Sequence, residues 1–477
     1  MMRRAAENGA IHGVRVATNA PTVTHLLFAD DSIFFVKANE REARKVKEIL
    51  VNYELASGQK VNYDKTTVSF SRGTTINRKN GVEECLGVRV VEEQERYLGL
   101  PTAVGRSKKC VTNIVRDKLT KKLRGWRGTL FSKTGREILI KAVAHSIPNY
   151  AMSIFKLPAG FCDDLRSIVS RFWWGSGNGA RKIPWLAWKK LCRPKNLGGL
   201  GFRDYHNFNM ALLEKQAWRL LTNRSCLMSQ IMRAKYFPDG EFMKAELGRN
   251  PSYTWRGIWE AREVLKKGIR KRVGNGLSTY VWQDPWIPGT QTRLVLSPRR
   301  NEREDMLVTE LRNADGQSWN MSKVRALFLP FEQVRISNMR IGAFQTEDSW
   351  CWDLEKDGEY SVKTAYRAVV GEYGAETGPS DLTREKWLWS KIWQARVLPR
   401  VKVCFWQMCN DALATWSNLA KRIPQVDVIC PMCGAGMETG VHLLRDCNWV
   451  GGVWDGLGLE VRYGDGIENV REWVEKV

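Results

Sequence analysis

The stretch that most constrains this chain is Thr24-His25-Leu26-Leu27-Phe28-Ala29-Asp30-Asp31-Ser32-Ile33-Phe34-Phe35-Val36. Two apolar runs flank adjacent aspartates, the pattern of a β-hairpin that turns tightly at the acids. Adjacent carboxylates repel, so Asp30 and Asp31 sit together comfortably only when solvated or when they share a divalent cation. Mg²⁺ is the cation that all-oxygen sites favour. Two metal ions held by carboxylates can clamp the attacking and leaving oxygens of an in-line displacement at phosphorus. An ordinary exposed turn is the plainer reading of an isolated Ala-Asp-Asp.

Charge is the strongest global signal. Across 477 residues, 75 Lys and Arg face 51 Asp and Glu, a net charge of +24. Such a surplus favours a polyanionic partner, because neutralising phosphates releases condensed counterions, and nucleic acid is the default candidate. Mean hydropathy of -0.38 suits a soluble chain long enough for several domains. The apolar runs fall short of the roughly 20 residues a bilayer span needs, and Met1-Met2-Arg3-Arg4 leads into polar sequence, so neither a membrane nor a secretory role is expected. The 11 cysteines are odd in number and scattered, which predicts an intracellular, reducing setting, nuclear or cytoplasmic.

After the hairpin, residues 40–53 predict a helix with Ala43, Val46, Ile49 and Leu50 on one face, ended by Ser57-Gly58. Val61 and Tyr63 then begin a strand carrying Lys65. Arg96-Tyr97-Leu98-Gly99-Leu100-Pro101 reads as a strand, a glycine turn and a proline stop. From residue 108 to about 224 the chain turns helical and basic. Lys118, Lys121, Lys122, Arg124, Arg127, Lys133, Arg136 and Lys141 alternate with Leu119, Leu123, Trp126, Leu130, Ile138 and Leu139. Bases interleaved with aromatics suit a groove that tracks a nucleic-acid backbone; they equally suit amphipathic helices packed on a core. Trp173, Trp174, Trp185 and Trp188 are expected to be packing residues. Gly274-Asn275-Gly276 predicts a hairpin turn between Arg272-Val273 and residues 277–282, and the polar, weakly periodic stretch 297–347 reads as a linker.

Near the C-terminal end, Cys430, Cys433, His442 and Cys447 form Cys-x2-Cys-x8-His-x4-Cys. Four soft or borderline donors at these spacings let a tight knuckle and a following helix converge on tetrahedral Zn²⁺, and a closed four-ligand set makes a structural rather than a catalytic zinc. Ser361 is placed to cap a helix reaching Val370, and residues 389–408 read as an aromatic-rich helix interrupted by Pro399. Cys404 and Cys409 on that helix have no histidine at ligand spacing and are expected to be buried.

Several motifs resemble those of plant LINE-type (non-LTR) retrotransposon reverse transcriptases. Phe28-Ala29-Asp30-Asp31 resembles their x-x-Asp-Asp box, Ser57-Gly58 through Lys65 the following box, and Tyr97-Leu98-Gly99 the primer-gripping hairpin. Leu123-Arg124-Gly125-Trp126, residues 131–136, Phe172-Trp173-Trp174-Gly175 and residues 198–203 fall in family order. So do residues 357–366, Pro399-Arg400-Val401-Lys402, Trp406 and the Cys/Cys/His/Cys set of the zinc-binding domain. The resemblance implies an α+β fold: palm hairpins over 1–104, a basic helical thumb and connector over 105–245, a connector over 246–348 and a small, mostly helical zinc-binding domain over 349–477.

It also implies RNA-directed DNA polymerase as the family activity, with RNA and DNA template-primer as partners and dNTPs as the small-molecule substrates. Asp30 and Asp31 would help hold Mg²⁺, Lys65 would lie near the incoming triphosphate, and Lys121, Lys122, Arg124, Arg127, Lys133 and Arg136 would face nucleic acid. The family's palm carries a further metal-binding aspartate on an earlier strand, with fingers upstream, and about two dozen residues precede this hairpin. The expectation is therefore a C-terminal part of the polymerase that does not polymerise DNA alone. A decayed or domesticated nucleic-acid-binding fragment is the alternative.

Overall fold

The computed structural model describes residues 1–92, 96–102, 108–126, 131–177, 180–290, 292–299, 302–342, 346–371, 379–459, 467 and 469–476. The fold is α+β: helices dominate, and the strands form small two-stranded sheets. Chain contacts divide it into two compact units, one of residues 1–114, 150–156 and 209–373, the other of 115–149, 157–208 and 374–477. These units cut across the four consecutive segments that the sequence suggests.

In the first unit, the helix Glu40–Ser57 starts where the Asn39 side chain accepts the Glu42 N–H and stops at Gly58. Its buried Val46 and Ile49 pack with Met2, Ala5 and Ile11, and Phe34 and Val36 from the hairpin lean on the same cluster. The strand expected to carry Lys65 is instead a turn. The Asn62 side-chain and backbone oxygens take the Lys65 N–H at 3.1 and 3.3 Å, and the strand begins at Thr67–Val68, parallel to Arg89–Val90. The cause is local, since an asparagine oxygen competes well for N–H groups just ahead of it.

The main core of this unit gathers Trp255, Ile258, Leu265 and Ile269 with Trp218, Trp352 and Ala365. Strand Ile269–Arg272 pairs antiparallel with Ser349–Trp352, which overturns the hairpin expected at Gly274-Asn275-Gly276. That loop wraps the Asp348 carboxylate, which accepts N–H bonds from Gly274, Gly276 and Ser278 at 2.7, 2.9 and 3.0 Å and the Thr279 hydroxyl at 2.8 Å. Burial pushes the Asp348 carboxyl up, but these donors outweigh it and hold the group below the ordinary range. The stretch read as a linker also folds. Met306, Val308, Leu311, Trp319, Val324, Phe328 and Ile336 are buried around Trp286. Their spacing follows no single period because they come from a short 3₁₀ turn, a loop and two short helices, Met321–Leu327 and Pro330–Ser337.

In the second unit, the helix Ala159–Trp174 buries Phe161, Leu165, Val169, Phe172, Trp173 and Trp174. Trp188 is buried too and Trp185 half-buried, so the tryptophans serve packing as expected. The loop Gly198-Gly199-Leu200-Gly201 locks the C-terminal helices in place: the Gly198 carbonyl accepts the Trp406 indole N–H at 2.9 Å. Helices Pro379–Gln394 and Pro399–Cys409 flank the predicted interruption, with proline at the start of the second. Ser361, in the first unit, caps Val362–Val370 as expected, accepting the Thr364 N–H at 3.1 Å. Burial raises both helix thiols, Cys409 to about 12, although Cys404 is only half-buried.

Candidate metal centre and acidic hairpin

The metal centre is assembled almost entirely from local geometry. Ile429 and Met437 face each other across an antiparallel bridge, and the Cys430 N–H bonds the Gly436 carbonyl at 2.8 Å, so residues 430–436 form a closed knuckle. Gly434 N–H returns to the Cys430 carbonyl at 2.9 Å, which tightens the Cys-x-x-Cys turn. Beyond it, residues His442–Asp446 form a π-helical turn in which Cys447 N–H bonds the His442 carbonyl at 2.9 Å. In an α-helix, residues five apart point about 140° away from each other. The wider i to i+5 turn brings them back over one another, and that is what His-x4-Cys requires.

Donor atoms of Cys430, Cys433, His442 and Cys447 all lie within 4.8 Å of one another. Cys433 Sγ stands 3.3 Å from His442 Nε2, close to the edge of about 3.5 Å that a tetrahedral zinc with ordinary Zn–S and Zn–N bonds would set. Three thiols and an imidazole at these separations fit Zn²⁺ and leave no position for water. Cys430, His442 and Cys447 are buried, and Cys433 is half-exposed at the knuckle. The Cys433 thiol is drawn down to about 6, first by the Ala435 N–H, against a burial effect of opposite sign, with help from Gly436. Burial pushes the Cys447 thiol up. Amide donors at the knuckle thus favour the thiolate that a metal needs.

Two determinants of this geometry lie outside the ligand pattern. A Cβ on Gly436 would lie 2.9 Å from Cε1 of the His442 ring, so only glycine lets the imidazole close over the knuckle. Glu438 is a second: its backbone N–H bonds the Val428 carbonyl at 2.8 Å, and its carboxylate accepts the Trp416 N–H at 3.0 Å. The signal for Gly436 was its place two residues after Gly434, between the ligand pairs.

The hairpin expected at the acids forms, with Asp30 in the turn and Asp31 at the start of the second strand. Strand His25–Phe28 pairs antiparallel with Asp31–Phe34, Phe28 opposite Asp31, so Ala29 and Asp30 form a two-residue turn. Ala29 holds φ at 50°, a left-handed value that costs a residue with a Cβ about 1–2 kcal/mol. Asp30 and Asp31 are both exposed, and so are Leu27 and Phe28, at 64% and 59%. These strands form a sheet of two. Among the described residues, no third ligating side chain is grouped with the two aspartates. Lys65 is exposed in its Asn62 turn.

The basic residues divide into two kinds. Lys121, Lys122 and Arg124 are exposed on the helix Lys109–Gly125, whose Val111, Val115, Leu119 and Leu123 are buried. Arg127 lies outside the described residues. Lys133 and Arg136, read with the nucleic-acid-facing bases, turn inward instead: both donate to the Trp173 carbonyl at 3.2 Å. That carbonyl belongs to the negative end of the helix Ala159–Trp174, where cations are favoured. Arg136 is 8% exposed, and burial, with Arg136 and Lys182 nearby, brings the half-buried Lys133 down to about 8. Gly175, at φ 95°, leaves room for the guanidinium, since a Cβ there would come within 2.8 Å of Arg136 Nη1. Two sequence motifs, residues 132–136 and 172–175, therefore meet in one packing joint.

Known proteins bear on the C-terminal region most directly. A sequence family described as zinc-binding in reverse transcriptase matches residues 360–454, which include all four metal ligands. A putative ribonuclease H protein of Arabidopsis thaliana is 27% identical over 361 residues, 74% of this chain and 57% of that protein. The chain thus spans little more than half the length of that relative. An uncharacterized mitochondrial protein of Arabidopsis thaliana is 46% identical over 143 residues, 30% of this chain and 93% of that protein.

Proposed function

The chain belongs to the retrotransposon-derived, reverse-transcriptase-related family that these relatives mark, and from that premise we propose that it is the C-terminal part of a LINE-type reverse transcriptase that binds nucleic acid. The observation that supports this best is the convergence of Cys430, Cys433, His442 and Cys447 inside the matched zinc-binding domain. Zinc there is structural. It fastens knuckle, π-turn and following helix into one body, and no water can reach an open coordination position.

In this reading Asp30 and Asp31 supply part of a Mg²⁺ site, and Lys65 meets the triphosphate once the remaining palm and fingers are present. Two carboxylates on one exposed turn do not fix two metals. The several kcal/mol by which a metal clamp stabilises a transition state depend on that fixation. The chain by itself is therefore inactive as a polymerase. Contact with RNA and DNA falls to the exposed bases Lys121, Lys122 and Arg124, without Lys133 and Arg136.

The test is primer extension on an RNA template with Mg²⁺ and dNTPs. The purified chain should give no product, and a fusion to the fingers and first palm strand of a LINE-type polymerase should give product that Asp30→Ala abolishes. Extension by the chain alone, lost in Asp30→Ala, would refute the claim of inactivity. A fusion that is folded yet silent would favour the non-catalytic alternative, for which the exposure of both aspartates already speaks.

A further inference from the structure

A cleft of the second unit that combines an aromatic ring with several cations lies beside the end of the helix Lys109–Gly125. Its walls include Lys118, Lys121, Lys122, Trp126, Val143 and Ile147, and it encloses about 600 Å³. We propose that this cleft seats an unpaired nucleotide of a single strand, with the base against Trp126 and the flanking phosphates among the three ammonium groups. The proposal rests on the nucleic-acid reading above and narrows it to a strand state and a place.

Three observations converge on it. Trp126 is half-buried: its ring tilts at 47° against Phe172, with centroids 5.9 Å apart, and Lys122 Nζ stands 5.7 Å from its centroid. A ring held on one side and open on another is a stacking platform. The cations are uncommitted: no carboxylate lines the cleft, and among the described residues Lys118, Lys121 and Lys122 have no acidic partner. Such a field selects an anionic ligand, and the Val143 and Ile147 side chains select one with an apolar surface; a nucleotide offers both. Finally, Val143 reaches the cleft from irregular backbone. Residues Ile140–Ala144 form a π-helical turn, closed by the His145 N–H on the Ile140 carbonyl at 2.9 Å. Such turns are rare and concentrate at functional sites.

A duplex keeps its base faces stacked inside, so an indole face can be used only by an unpaired base. The cleft therefore separates single strands from duplex, whereas a purely electrostatic surface does not.

The experiment measures binding of the full chain, by fluorescence anisotropy, to a labelled oligothymidylate and to a blunt duplex of the same length. Trp126→Ala should weaken the single strand about tenfold, the scale of one lost stacking contact, and leave the duplex within about twofold. Trp126→Phe should restore most of the loss; that recovery, with an unchanged thermal melt, separates lost stacking from misfolding. A Lys118, Lys121 and Lys122 triple alanine variant should lower the salt dependence of single-strand binding by about two counterions. Equal effects of Trp126→Ala on both ligands, no effect on either, or no recovery in Trp126→Phe would overturn the proposal while the nucleic-acid reading stood. Failure of the wild-type chain to bind either oligonucleotide would remove both. Tighter competition by an acidic, Phe-containing peptide than by unlabelled oligothymidylate would overturn it in favour of a protein ligand.

Discussion

The metal centre and the acidic hairpin are both small turns bearing ligand atoms, and they differ in where the rest of each site comes from. All four donors of the metal centre lie within residues 430–447, on a knuckle and one π-turn, and three of the four are buried. The hairpin offers two exposed carboxylates on a two-stranded sheet, with apolar Leu27 and Phe28 uncovered beside them. A site whose ligands are near in sequence is completed by local hydrogen bonds. A site whose ligands come from distant strands is complete only when the whole sheet is.

The largest effect that tests this contrast is metal removal. Metal analysis should find about one zinc per chain, and Cys430→Ser or His442→Ala should abolish it and release residues 411–459 to rapid hydrogen exchange, because zinc supplies on the order of 10 kcal/mol to such modules. Retention of protected amides there without metal would break the contrast. Next in size, Gly436→Ala should reduce zinc affinity by pressing the His442 ring outward, measured by chelator competition. An unchanged affinity would mean that the knuckle relaxes around the added methyl group.

Arg136→Met should lower stability by about 1–3 kcal/mol in thermal or denaturant unfolding, the cost of leaving the Trp173 carbonyl short of a buried donor. Lys121→Ala should leave stability within about 0.5 kcal/mol and act on nucleic-acid binding alone. This pair tests whether the two kinds of base are truly distinct.

Acidity separates global stability from both sites. Glu214 is 1% exposed, and burial pushes its carboxyl up to about 8, against an ordinary 4.5. A raised carboxyl is protonated in the folded chain, so its contribution is fully present below about pH 4.5 and lost as pH rises through about 8. Melting temperature should therefore fall between pH 7 and 9 in the wild type and fall less in Glu214→Gln, while zinc content stays constant.

Small effects are expected at the hairpin too. Ala29→Gly should stabilise it by about 1 kcal/mol by relieving the positive φ, and Asp30→Asn should change the melting temperature little. A large loss in Asp30→Asn would mean that the carboxylate is engaged and would erase the difference between the two sites.

Much of this was legible beforehand where the chemistry is short-range. The Cys-x2-Cys-x8-His-x4-Cys spacing named the ligands because knuckle and π-turn use only neighbouring residues. Ser57-Gly58 and Ser361 marked helix ends because caps act over three or four residues. Long-range choices were not legible. Strand Ile269–Arg272 took Ser349–Trp352 as its partner although Gly274-Asn275-Gly276 offered a turn nearby, since Asp348 draws that loop's N–H groups to itself. The scattered apolar residues between 306 and 336 looked like a linker because a core drawn from loops and short helices has no period.

The amino-acid order by itself determined which side chains hold the metal, where the aspartates turn and how much positive charge the chain bears. Tertiary structure decided which of those charges remain available. Lys133 carries the same ammonium group as Lys121 and Lys122, and Arg136 the same guanidinium as Arg124; what sets the first of each pair apart is the Trp173 carbonyl that the helix Ala159–Trp174 places against it. A guanidinium has the same chemistry in either setting, and its role follows from whether folding gives it a buried carbonyl or leaves it in water.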